Sequence, residues 1–204
     1  MDGGRDGAMA ILEGKIDRTA RRPWWRPRAD GGSSRPMGKT PDLRHDVMAL
    51  GGDIVSSERF AMALAVPHHN PRRTVASHSL ETAEYALRIA RWLNRHGASV
   101  SEEDAVRASL MHDLGMTEDE VFLSPSRKKA FSHPRAGSRI AREEFRANDV
   151  QVDAVRRHMW PIGLTPPRNM EGWVVVAADK CCSVREAQRY ARDAAGQLAD
   201  TLLG

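Results

Sequence analysis

The chain has 204 residues, 41% hydrophobic and 28% charged, which suffices for one buried core, and it lacks the run of about 18 apolar residues that a membrane helix needs. Its formal charge of +4 lies in one place: residues 1–40 carry nine Lys/Arg against five Asp/Glu, whereas residues 41–204 carry 22 of each. A body without net charge offers no broad electrostatic footprint for phosphates, so neither membrane nor nucleic acid is expected as its partner.

Residues 1–40 are rich in Gly, Arg, Pro and Ser and show no sustained apolar period. Such a composition cannot bury enough surface to offset chain entropy, which predicts a basic, disordered arm. Trp24 and Trp25 stand among its arginines and offer stacking surfaces. The segment also lacks the apolar core of a secretory signal. From residue 41 to 204 the period is helical, and one all-α domain of about five to seven helices is expected.

Ala76, Leu80, Ala83, Leu87 and Ala90 recur at spacings of three and four, the stripe of a long amphipathic helix that Gly97 is placed to stop. Ser101 with Asp104 three residues on reads as a capping box that opens the next helix, on which Val106, Leu110 and Asp113 share a face. Residues 117–132 show no clear period and are expected to form a lid or specificity loop. Two helices are predicted around "PRAGSRIAREEFRA" and "VQVDAVRRHMW", then a loop over "WPIGLTPPRN". The stretch from Glu171 to Leu203 is predicted helical. "WVVVAA" has strand propensity, but a lone buried strand would leave its backbone unpaired. The adjacent Cys181 and Cys182 cannot staple a fold, so they read as small core residues in a reducing cytoplasm.

"MHDLGM" places His112 and Asp113 together in an apolar segment. Other residues of matching chemistry stand elsewhere: His78 midway along the long helix, His133 in "SHPRAG", His158 at the end of "AVRRHMW" and Asp179 closing "VVVAAD". A buried carboxylate such as Asp179 needs a partner, either an arginine such as Arg156 or Arg157, or a metal. Four imidazoles and two carboxylates on different helices form a mixed N/O donor set, suited to Fe, Mn, Zn, Ni or Co. Six such donors suffice for two divalent transition metals that share a carboxylate and leave positions for solvent. His96, beside Gly97, reads as a helix-end residue, and His45, His68 and His69 read as unrelated to the set, with lining the site a secondary reading of His68 or His69.

The order H(78)…HD(112–113)…H(133)…H(158)…D(179) resembles the HD-domain metal-dependent phosphohydrolases, an all-helical superfamily. "HPRAGSRIA" is similar to a segment of HD-GYP cyclic-dinucleotide phosphodiesterases. "AADK" resembles the closing motif of bacterial diadenosine-tetraphosphate hydrolases of the superfamily. The resemblance spans about residues 70–190. It implies that His78, His112, Asp113 and Asp179 hold a first metal, and that Asp113 bridges to a second held by His133 and His158. It also implies a metal-bridged water as nucleophile and Asp113 at the centre of catalysis. The implied function is hydrolysis of a phosphate ester or anhydride of a nucleotide, dinucleotide or similar small molecule. Lys180, Arg72, Arg73 and Arg135 are the expected substrate contacts. No Gly-Tyr-Pro tripeptide is present, which argues against cyclic-di-GMP. The same six ligands hold two irons in myo-inositol oxygenase and a phosphonate-degrading relative, so a di-iron oxygenase is the alternative. A regulatory HD module with weak turnover is a third reading. The sequence does not fix the oligomeric state.

Overall fold

A computed structural model describes residues 42–68, 70–123 and 125–203. The arm, with Trp24 and Trp25, its boundary at residue 40, and His69 lie outside the described residues. Eight α-helices occur among the described residues: α1 (Leu43–Val55), α2 (Glu58–Ala63), α3 (Val75–Arg95), α4 (Glu102–Met111), α5 (Asp119–Phe122), α6 (Ser126–Phe145), α7 (Asp149–Arg157) and α8 (Met170–Leu203). The fold class is all-α, as expected. Eight is one above the expected range, and α2 and α5, of six and four residues, are too short to show a period. Between α2 and α3 lies a small antiparallel pair, β1 (Pro67–His68) with β2 (Asn70–Thr74), in which Pro67 opposes Thr74 and His68 opposes Asn70.

The stripe on α3 is the core face: Ala76, Ala83, Leu87 and Ala90 are fully buried, and Leu80 nearly so. A buried leucine stabilises by roughly 1.5–3 kcal/mol. Thr74 and Ser77 close a reciprocal capping box at the start of α3. Gly97 adopts φ 91° just past its end, the left-handed conformation glycine accepts most cheaply.

Helix α4 is central, packing on α1, α3, α7 and α8. Ser101 caps it by accepting from the Asp104 amide at 3.1 Å. The reciprocal half of the expected box is missing. Glu171 at the start of α8 accepts the Ser101 N–H instead, and the Asp104 carboxylate accepts from Asn148 and Gln151 of the α7 cap. The cap thus ties α4 to both neighbours.

Residues 117–132 are not a loop throughout. They contain α5 and the first turns of α6, which runs through His133 and carries Pro134 inside it. Proline there has no N–H to give the preceding turn, which hides the helix from sequence reading. "WVVVAA" lies within α8, as predicted, with Val174, Val175, Val176 and Ala178 buried. Among the described residues, no helix is long and apolar enough to cross a membrane.

Candidate metal centre

Five elements converge on one point. His78 comes from the inward face of α3, and His112 caps the C-terminus of α4 with Asp113 next to it. His133 lies in α6, His158 caps α7, and Asp179 lies on α8. All six are buried. Two glycines permit the approach. A Cβ on Gly115 would lie 2.1 Å from the His133 carbonyl oxygen, and one on Gly137 would lie 3.1 Å from that of His112. The turn after Asp113 therefore rests directly on α6, which brings His133 to Asp113.

Asp113 divides the cluster. Its Oδ2 lies 3.1 Å from His68 Nε2, 3.3 Å from His112 Nε2 and 4.0 Å from His78 Nε2. Its Oδ1 lies 3.3 Å from His133 Nε2 and 3.5 Å from His158 Nε2. Asp179 belongs to the first half, with Oδ1 3.1 Å from His78 Nε2 and 3.9 Å from His112 Nε2. Among the described residues, three groups of donor atoms are close enough to hold an ion: His68, His78 and Asp113; His78, His112 and Asp179; and His112, Asp113 and His158.

The backbone orients the rings. Carbonyl oxygens face Nδ1 of three histidines: Ser109 for His112 (2.7 Å), Lys129 for His133 (2.5 Å) and Val155 for His158 (2.7 Å). Glu186 Oε1 faces Nδ1 of His78 at 3.0 Å. An acceptor at Nδ1 places the proton there and leaves the Nε2 lone pair inward, the arrangement of a metal-ligating histidine. Two consequences bear on whether a cation fits. His112 Nε2 is buried without a hydrogen-bond partner. His133 Nε2 and His158 Nε2 face each other at 3.0 Å, and two opposed lone pairs require a shared proton or cation. The donors present fit a metal.

Charge differs between the halves. Burial opposes ionisation of Asp113, and the imidazoles of His112, His133 and His158 overcome it, holding the carboxyl well below its ordinary range. Asp179 is lowered against burial by His78, His112 and Lys180, and Glu186 by His68 and His78. Burial also opposes protonation of His78, yet Asp179 and Glu186 raise it to about 10. His158 has only Asp113 in its favour. Burial, with His112 and His133 nearby, lowers it to about 4.

A cleft of about 670 Å³ opens onto the cluster, with His68, Asp113, His133, His158, Asp179 and Lys180 in its wall. Lys180 folds back over its neighbour, Nζ 2.6 Å from Asp179 Oδ2, so both enter the cleft although adjacent helical residues diverge. Arg73 does not line it: this side chain bonds Glu186 Oε1 at 3.1 Å and Glu81 Oε2 at 2.5 Å. Arg135 lines two neighbouring clefts together with Arg156 and Phe131. The side chain of Arg72 lies outside the described residues. Arg157 pairs instead with Asp153 at 2.6 Å, and the charged partners of Asp179 among the described residues are His78, His112 and Lys180. His96 packs on Trp92, and His45 is exposed beside Asp46. Cys182 is buried, but Cys181 is exposed rather than a core residue.

Two further residues join the cluster. His68 is buried in it, its ring stacked 3.9 Å from that of His78. Glu186, buried behind His68 and His78, stands outside the H…HD…H…H…D order. Its spacing of seven from Asp179, two helical turns, was the available signal.

The family model for the HD domain matches residues 75–183, more than half of the chain. The chain therefore belongs to the HD-domain family, within the metal-dependent phosphohydrolase superfamily. Its similar curated proteins include two described as Ribonuclease Y, from two strains of Ureaplasma parvum serovar 3, each 32% identical over 117 residues. That alignment covers 57% of this chain and 21% of each relative, so the chain spans about a fifth of their length. No solved structure matches significantly.

Proposed function

We propose that the protein is a hydrolase with a binuclear centre that cleaves a phosphate ester or anhydride of a nucleotide, dinucleotide or similar small molecule. The observation that carries this reading is the split of Asp113, whose two oxygens face different imidazole sets. His78, His112 and Asp179 complete one position, and His133 and His158 the other, with Asp113 as the bridge. Two divalent transition metals, drawn from Fe, Mn, Co, Ni and Zn, would polarise a phosphoryl oxygen and generate a nucleophile from water near neutral pH.

The chain's own groups do the rest. The acceptors at Nδ1 keep each Nε2 aimed inward. Lys180 supplies a cation at the cleft wall for a phosphoryl oxygen. Met116, Met159 and Ile162 form the apolar part of that wall. The adjoining clefts support a substrate with more than one phosphate or a base, because Arg135 and Arg156 flank the exposed ring of Phe131 there. The ribonuclease relatives cleave phosphodiesters by name, which is consistent with this bond class.

The test combines metal analysis with an anaerobic substrate panel of nucleotides, dinucleotides and bis(p-nitrophenyl) phosphate. The expected result is close to two ions per chain and metal-dependent phosphate-ester cleavage without oxygen. No ion bound after reconstitution with Mn, Fe, Co or Ni would sink the proposal. Turnover that strictly consumes oxygen would replace it with the di-iron oxygenase.

A further inference from the structure

We infer that His68 is a third imidazole donor of the first metal position, so that this position holds three imidazoles and the second holds two. The inference rests on the metal centre proposed above and extends it to a residue outside the matched family segment, which begins at residue 75.

His68 repeats the connections of His78. Its Nε2 lies 3.1 Å from Asp113 Oδ2, closer than either His112 or His78 approaches that oxygen. With His78 and Asp113 it offers three ligand atoms near enough to share one ion. Its Nδ1 lies 3.4 Å from Glu186 Oε2, while the other oxygen of that carboxylate serves Nδ1 of His78 at 3.0 Å. One glutamate therefore orients two parallel imidazoles, their planes 17° apart. Glu186 is in turn fixed by Arg73, which bonds Oε1 at 3.1 Å and Glu81 on its other side. A carboxylate behind a ligating histidine is the usual device for aiming the ring and raising its basicity.

Position separates His68 from the other two imidazoles of this half. His78 and His112 have no exposed surface, whereas His68 is 2% exposed and forms part of the cleft wall. It is carried on the β1–β2 pair, not on a bundle helix. Of the three imidazoles of the first position, His68 is the one that meets the cleft, beside Asp113 and Asp179. A nitrogen-rich position prefers Fe, Co, Ni or Zn to the hard ions Mg and Ca, and more strongly than a position with two imidazoles. The two positions should therefore fill in sequence, the first before the second.

The test uses the full chain, stripped with a chelator and titrated with Co(II), read by stoichiometry, chelator competition and visible absorption. Wild type is expected to bind two ions with distinct affinities. His68→Ala is expected to weaken the tighter ion at least about tenfold, to change its absorption bands and to leave the weaker ion in place. Added imidazole should restore both the affinity and the bands, which a merely structural role would not allow. If the Ala variant does not fold, as judged by circular dichroism of the metal-free protein, His68→Gln reads the same weakening with the volume nearly kept. Variants that fold, bind both ions at wild-type affinity and show unchanged bands overturn the inference and leave the binuclear centre standing. Wild type that binds no ion overturns the centre itself.

Discussion

The two halves of the centre are built on opposite electrostatic plans. The first draws on α3, α4, α8 and the β1–β2 pair and surrounds its imidazoles with Asp179, Glu186 and one oxygen of Asp113. The second, on α6 and α7, gives His133 and His158 the other oxygen of Asp113 and helix carbonyls. In the first half, burial disfavours the His78 imidazolium, but Asp179 and Glu186 raise it to about 10. The second keeps His158 neutral, lowered to about 4. One half gathers carboxylates around its imidazoles. The other sets two imidazole nitrogens 3.0 Å apart, an arrangement that a shared proton or a cation makes favourable. The difference predicts a tight ion and a weaker one, coupled through Asp113.

The largest effect is expected where the halves join. Asp113→Ala should remove most of both ions and bring hydrolysis to background, measured by metal analysis of the purified variant. If one ion stays at wild-type affinity, the bridge is wrong and the halves are independent.

Gly115→Ala should separate the halves without touching a ligand. Its Cβ would collide with the His133 carbonyl and the Gly137 amide, backbone atoms that cannot swing aside. A cost of about 1–3 kcal/mol in urea unfolding is expected, with selective loss of the weaker ion. Equal loss of both ions would show that α6 does not belong to one half alone.

Glu186→Gln probes the anionic half from behind. It keeps the shape but removes the charge that raises the basicity of His78, so the tighter ion should weaken about 10- to 100-fold. The competition assay used for His68 reads it, and no change in the weaker ion is expected.

The smallest effect concerns the register of α8, which supplies that half. Asp179, Cys182 and Glu186 point inward at spacings of three and four, and Cys181 points outward. Burial raises the Cys182 thiol to about 12. A thiol reagent at pH 8 should therefore titrate one cysteine in the native protein and two after denaturation. Two fast-reacting thiols in the native state would mean that α8 is not seated as described.

Much of the molecule was legible before the fold was known. The α3 stripe, its end at Gly97, the loop before α8 and the six residues brought together here are encoded locally, as periods, caps and residue types in order. The parts that were not legible share a cause: each depends on which chain segments meet. The start of α6 was hidden because Pro134 interrupts the usual helical signal. Arg73 looked like a phosphate contact because no local rule reveals that Glu81 and Glu186 already hold it. The acid expected to complete the Ser101 cap turned instead to α7, since helix packing offered Asp104 better donors.

By itself, then, the sequence determined an all-helical body and a set of six histidines and aspartates in the order of the HD family. Side-chain period and chemistry are properties of a single segment, and they survive without the rest. Only the tertiary structure decided how Asp113 is shared, and that His68 and Glu186 join the first half. Those facts rest on distances of 3–4 Å between residues up to 118 positions apart, from His68 to Glu186. Packing of α3, α4 and α8 sets these distances, and no local pattern records them.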